Sequence, residues 1–375
     1  MATTGSGSRA WVVVVITGIL AAMHVWKLPA ALDFIRADLD VDLVAAGALV
    51  GIVQLAGALG GLAASVVAER IGAKNTLIFG MGCAGIASLA GALAPNSGWL
   101  MATRGIEGVG FILITVTAPA LVRALAPPEK VNGAMGWWGA FQGLALFAGV
   151  GISAVLLNAT TVSWNIWWLS MGIITLGFIP VVVARVPADA PGAVYLKRIA
   201  SSIGATLRAP LPWALGLIFS MYTVQWGAVL SFLPTIFADA NIETGIDGAI
   251  VVGVATAVVG GLNGVANIVT GVLLQRGLPP RRLLITGLTI MAVTSFFVFA
   301  PDWSAVPGTV TWPLLAAALF SFAGAAVPTT VTRQAVDIAP PGGSVSAVIG
   351  LITQLFNLAN FAGPIILSAI ASAAG

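Results

Sequence analysis

Residues 99–123 read WLMATRGIEGVGFILITVTAPALVR. The stretch is long and apolar enough to cross a bilayer, which takes roughly 20 such residues as a helix, yet it carries Arg104 and Glu107. Charges inside a spanning helix are costly and face the protein interior or a watery cavity. Three residues apart, the two share one helix face. The segment therefore predicts further helices packed around a polar interior.

The rest of the chain supplies them. Its 375 residues are 59% hydrophobic and 8% charged, against about 25% charged for a soluble domain, and its mean hydropathy is +1.04. Ten more segments have spanning length: 10–35, 42–68, 75–94, 131–157, 163–185, 212–238, 247–274, 281–300, 312–334 and 344–373. The expected class is an all-α membrane protein. The first apolar run extends to about residue 32 and is followed by similar spans, so it reads as a span and not as a cleaved leader. The lone Cys83 excludes an intrachain disulfide and reads as a small buried hydrophobe. The pI of about 9.4 comes from basic residues scattered singly through short loops, which points to topology and not to nucleic acid.

If the N-terminus is cytoplasmic, 13 of the 16 Lys and Arg residues fall on that side, the three exceptions being Lys27, Arg36 and Arg104. The opposite side carries Asp38, Asp40, Asp42, Asp239, Glu243, Asp247 and Asp302. The expected location is a cell inner membrane, multi-pass, with a cytoplasmic N-terminus.

The two halves repeat one another. SVVAER at 65–70 matches GVLLQR at 271–276, KNTLIFG at 74–80 matches RRLLITG at 281–287, and LFAGVGISAVL at 146–156 matches NFAGPIILSAI at 360–370. IRADL at 35–39 falls on IFADA at 236–240, which sets His24 against Gln225, and Pro119 and Arg123 have counterparts in Pro328 and Arg333. The expected division is an N-terminal bundle of six helices over 1–185, a cytoplasmic linker over 186–211 and a C-terminal bundle of five over 212–375. The partner of span six would lie beyond residue 375. Truncation is the favoured expectation, with an eleven-span protein as the alternative.

Two such halves, with SVVAERIGAK between spans two and three, resemble the major facilitator superfamily, whose loop there runs roughly G-x-L-A-D-R-x-G-R-K. Ser65 and Glu69 depart from that pattern, while Arg70, Gly72 and Lys74 keep it. RGIEGVG at 104–110 is similar to the family's Arg…Gly-x-Gly signature in span four. LFAGVG lacks the Gly-Pro pair of the antiporter branch, having Val150 there, and KLPAALDFIRADL at 27–39 looks most like the branch of cyanate-type and small organic-anion carriers. The resemblance implies two bundles rocking about a central site, and so a secondary transporter of a small organic solute, expected to be an anion, with proton coupling and function as a monomer. An exporter of the same fold and a non-transporting receptor or assembly subunit are the alternatives. An intramembrane enzyme would need an Asp pair, an H-E-x-x-H site or a Ser/His set. The chain has one His and no intramembrane Asp pair. No G-x-x-x-x-G-K-[ST] loop occurs, and neither a cofactor nor a metal is expected.

Arg104 is the candidate anion ligand and Glu107 the candidate proton carrier, against the alternative of a closed ion pair that locks helix packing. Lys27 and His24, three apart in the outer half of span one, form a second group. Lys27 either shares the anion with Arg104 or snorkels to the headgroups; His24 is a proton relay or a packing residue. The second half offers Tyr222, Gln225, Asn263 and Gln354 as neutral substrate contacts, with Gln225 the foremost, and Trp138 of span five is a candidate cavity residue. Glu69, Arg70 and Lys74 are expected to form an inner gate, or to act only as topology determinants. Arg36 with Asp38 is a weaker outer counterpart. Trp164, Trp167 and Trp168, with Trp99, Trp303 and Trp312, read as an interfacial belt. Gly47/Gly51, Gly57/Gly61, Gly139/Gly143 and Gly260/Gly264 are expected at close helix contacts.

Overall fold

The structure, a computed structural model, describes residues 9–188, 196–239, 248–299 and 311–374. The centre of the expected linker, Glu243, Asp247, Asp302 and Trp303 lie outside the described residues. Among the described residues there are fifteen α-helices, of which all but the short helix ahead of span seven make up eleven membrane-length spans. Span one is α1 (Ala10–Trp26), continued through a single 3-10 turn into α2 (Leu32–Leu39); α3 (Leu43–Ile71), α4 (Ala73–Ala92) and α5 (Ser97–Leu125) follow. Span five comprises α6 (Val131–Gly139) and α7 (Phe141–Ala159), and span six is α8 (Trp164–Arg185). The short α9 (Leu196–Arg208) precedes spans seven to nine, which are α10 (Pro210–Asp239), α11 (Gly248–Gln275) and α12 (Pro280–Phe299). Span ten comprises α13 (Thr311–Gly324) and α14 (Ala326–Ala335), and span eleven is α15 (Val345–Ala374).

Proline sets the irregularities. Pro29 has no N–H to give to the Val25 carbonyl four residues back, so α1 closes at Trp26 with the Lys27 N–H on the Met23 carbonyl, although Leu28 keeps helical angles. Pro119 in α5 and Pro328 in α14 leave the carbonyls of Thr115 and Gly324 without the usual donor four residues on. Pro119, Thr115 and Pro328 all line the central cavity. Thus both prolines sit where their helices border open space.

Two helix pairs join the first-half spans to the second-half spans: α3 with α15, and α6–α7 with α11. Glycine lets their backbones touch. A Cβ on Gly61 would lie 2.5 Å from the Gly350 carbonyl oxygen, and one on Gly143 would lie 2.5 Å from that of Gly260. The expected glycine contacts hold at these seams. Gly47 is different: a Cβ there meets nothing within 4 Å, because this residue faces the cavity. Gly143→Ala is expected to lower stability by about 1–3 kcal/mol, since backbone and not a flexible side chain would have to move; thermal unfolding of the purified protein measures it. Gly47→Ala serves as the near-neutral control.

The tryptophan belt is only partly as expected. Trp99 and Trp312 are about half exposed, but Trp164, Trp167 and Trp168 are buried at 3%, 5% and 0%. Trp164 stands edge-on to Trp168 and donates its ring N–H to Asp38 at 2.9 Å. Asp38 is thereby engaged, and Arg36 pairs instead with the exposed Asp33 at 3.5 Å. The expected Arg36–Asp38 gate does not form.

Candidate functional site

A cavity of about 860 Å³ lies between the two halves. Its wall is aromatic: Trp26, Trp138, Phe141, Phe219, Tyr222, Trp226, Phe356 and Phe361. Trp138 stacks on Phe141 at 4.4 Å, and Trp26 meets Trp226 edge-on at 5.8 Å across the two halves. Polar groups are few and neutral, among them Gln54, Thr115, Gln142, Asn263 and Asn360. No Asp, Glu, Lys or Arg lines the cavity among the described residues.

Several of these polar groups are held in place. Trp26 donates its ring N–H to Gln142 Oε1 at 2.8 Å, which turns the Gln142 amide NH2 away from that bond. Asn263 Nδ2 donates to the Tyr222 hydroxyl at 3.1 Å and to the Ser321 carbonyl at 2.7 Å. Asn267 Nδ2 donates back to Asn263 Oδ1, and Thr329 donates to Asn267 Oδ1. Gln54 Oε1 is buried and accepts no hydrogen bond.

The sequence candidates divide around this cavity. Tyr222, Asn263 and Trp138 line it as expected. Gln225 does not: it is exposed on the outer side of α10, while Phe219, Tyr222, Thr223 and Trp226 occupy the inward face. At 100° per residue Gln225 falls about a third of a turn off that face. Gln354 lies in the α3–α15 seam, where its Oε1 accepts from the Leu62 N–H at 3.2 Å.

Lys27 and Arg104 do come together, as the sequence suggested, but behind the cavity wall and not in it. Trp26 and Leu28 face the cavity, so Lys27 between them points the other way, into the first-half bundle. There Glu107 holds both cations. Lys27 Nζ donates to Glu107 Oε1 at 2.5 Å, and Arg104 Nη1 donates to Oε2 at 2.6 Å. Lys27, Arg104 and Glu107 are 0–1% exposed. Lys27 also donates to Ser88 at 2.7 Å and lies 4.4 Å from the Trp168 ring. His24 stands 3.3 Å from Glu107 Oε1 and 2.9 Å from Thr175 Oγ1. Arg104 Nη1 donates to the His24 carbonyl in the last turn of α1 at 2.5 Å, so the cluster caps the helix that carries Trp26. The Arg104 Nε–H has no partner. The snorkelling alternative for Lys27 is excluded by this burial.

Of the expected inner gate, Glu69 crosses between the halves. Glu69 accepts from the Ser344 hydroxyl, which itself caps α15 by accepting from the Ala347 N–H. The carboxylate thus sits at a helix N-terminus, where negative charge is favoured. Lys74 bonds within the first half, to the Val183 carbonyl at 2.8 Å, and Arg70 is exposed. The stronger crossing was not singled out from sequence. Arg123 pairs with Asp337 at 2.6 Å, Arg333 also pairs with Asp337, and Arg333 Nε donates to Asn132 at 2.6 Å. A signal for it was present: Arg333 and Asp337 are four apart on one helix face, and Arg123 is the repeat counterpart of Arg333.

Eleven helical spans among the described residues, set around a central cavity with matching seams between two halves, define a polytopic carrier fold. The sequence profile described as Major Facilitator Superfamily matches residues 14–375, and the chain belongs to that family. It is 29% identical over 221 residues to the methylenomycin A resistance protein of Streptomyces coelicolor, covering 52% of this chain and 46% of that one. It is 25% identical over 162 residues to the galactose-proton symporter of Escherichia coli, covering 43% and 34%. The chain spans less than half the length of these curated relatives. In structure it resembles the proton:xylose symporter XylE bound to 6-bromo-6-deoxy-D-glucose, with a TM-score of 0.79 at 15% identity, covering 100% of this chain and 90% of that one. That likeness is one of fold.

Proposed function

We propose that the chain is a secondary transporter that carries a small amphipathic organic solute, neutral or weakly charged, by alternating access. The observation that carries this reading is the aromatic cavity with no charged side chain on its wall among the described residues. An anion entering it would lose water and find no cation, because Lys27 and Arg104 are closed on Glu107. An apolar ring system would instead stack on Trp138 and Phe141, with Tyr222 and the Gln142 amide as its few hydrogen-bond partners. The resistance-protein relative supports an exporter of this kind over the cyanate-type branch. Proton coupling is assigned to the α1–α5 cluster: a change of charge there acts on the end of α1, and the next residue in that helix is a cavity wall. The basic ends of the spans support a cytoplasmic N-terminus.

Quenching of tryptophan fluorescence in the purified protein tests the substrate class. Aromatic amphiphiles are expected to quench at concentrations where small carboxylates and cyanate do not. Trp138→Ala is expected to weaken their binding roughly 10- to 100-fold, the worth of about 1.5–3 kcal/mol for a large buried apolar contact. Saturable binding of carboxylates, with aromatic amphiphiles inert, would return the anion reading.

A further inference from the structure

A second, smaller hollow of about 310 Å³ opens on the outside of the bundle, where spans one and five meet span eight. Its walls include Trp11, Lys130 and Trp137 from the first half and Val272 and Arg276 from the second. One cation from each half lines it, Lys130 and Arg276, together with one carboxylate, Glu129. Lys130 is the residue before α6, and Arg276 follows the last residue of α11, so both sit at the membrane edge. Trp137 is seven residues further along α6, about 10 Å deeper at 1.5 Å per residue. Trp137 and Val272 are 43% and 41% exposed, on the outer side of helices long and apolar enough to span. The hollow therefore has a cationic mouth at headgroup level and an apolar floor running into the acyl region.

We propose that this groove binds one anionic phospholipid, its phosphate between Lys130 and Arg276 and an acyl chain along Trp137 and Val272. Charge complementarity at the mouth selects an anionic headgroup, as basic pockets between membrane helices do. The bilayer-facing floor selects a lipid over a free phosphate ion. The occupant bridges both halves beside the contact of Gly136 with Gly271, where an added Cβ would come within 2.7 Å of the facing Cα. Bound lipid thus favours the conformation in which α6 and α11 touch at this contact.

The test uses the purified full chain in a neutral detergent, with native mass spectrometry and thermal unfolding read together. Phosphatidylglycerol is expected to be retained at one molecule per chain and to raise the unfolding temperature, while phosphatidylcholine and inorganic phosphate do neither. Lys130→Gln with Arg276→Gln is expected to weaken retention roughly 30-fold, at about one kilocalorie per cation, and Glu129→Gln to strengthen it. In the unaltered protein, raising salt from 0.1 M to 1 M is expected to reduce retention through screening, which keeps the test open if the double variant misfolds. Equal retention of phosphatidylcholine, stabilisation by inorganic phosphate alone, or retention indifferent to both salt and the double variant would each overturn the proposal. None of these readouts involves the transported solute.

Discussion

Glu107→Gln is expected to destabilise the protein by about 3–5 kcal/mol, the usual cost of leaving buried charge without its partner. One carboxylate answers two cations here, at 2.5 Å to Lys27 and 2.6 Å to Arg104, and all three are essentially inaccessible. An amide in its place can accept a hydrogen bond but cannot balance charge, so two like charges would face each other in a low-dielectric interior. Lys27→Met is expected to cost much less. It leaves the Arg104–Glu107 pair intact and electrically balanced, and it removes the group that needs Ser88 and Glu107 as acceptors. The double variant Glu107→Gln with Lys27→Met is therefore expected to regain 1–3 kcal/mol over the sum of the singles, a coupling typical of residues in contact. Thermal unfolding of the four proteins in one detergent reads the cycle. Additive losses would show that the charges do not act as a set. The loss should extend to transport, because Arg104 also caps α1 at the His24 carbonyl, and a freed helix end moves Trp26 in the cavity wall.

That cluster also shows what the sequence could and could not disclose. Arg104, Glu107, Lys27 and His24 stood out because charge is rare in apolar spans, and their three-residue spacing gave the shared faces. Depth along the helices was also readable, which is why Lys27 and Arg104 were expected near one another. What one helix cannot reveal is which of its faces meets the cavity. Trp26 and Leu28 flank Lys27 and point the opposite way, and only the packing of α4, α5 and α8 around α1 decides between them. The same ambiguity misplaced Gln225, a single turn-fraction from Trp226. It also misplaced the α8 tryptophans, whose position near a helix end fits a membrane belt as well as it fits burial against Asp38 and Lys27. The fold itself was legible because hydropathy, loop charge and the repeat each constrain it separately. The seams were legible through glycine, except at Gly47, where the missing side chain leaves room for the cavity.

Asp337→Arg is the substitution expected to shift the conformational balance most. Asp337 receives Arg123 from α5 and Arg333 from α14, and so joins the two halves at the end that carries the linker. Arg123 and Asp337 are 35% and 39% exposed, and an isolated pair so placed is worth at most about 1 kcal/mol. Reversal does more than delete such a pair. It removes two attractions and sets a third cation beside two others, for a total of about 2–3 kcal/mol against closure. That corresponds to roughly a 30- to 150-fold change in the ratio of closed to open forms. Glu69→Gln should act in the same direction but more weakly, by about 0.3–1 kcal/mol, since it removes only a charge at the α15 N-terminus. The readout is thiol labelling. With Cys83→Ser as background, Thr332→Cys places a probe on the cavity wall towards this end. A membrane-impermeant maleimide applied from the linker side is expected to label the Asp337→Arg protein at least tenfold faster than its parent. Arg123→Asp added to Asp337→Arg restores one opposed pair and is expected to slow labelling again. Unchanged labelling in the single variant, or no recovery in the double, would mean that the glycine seams alone hold this end shut.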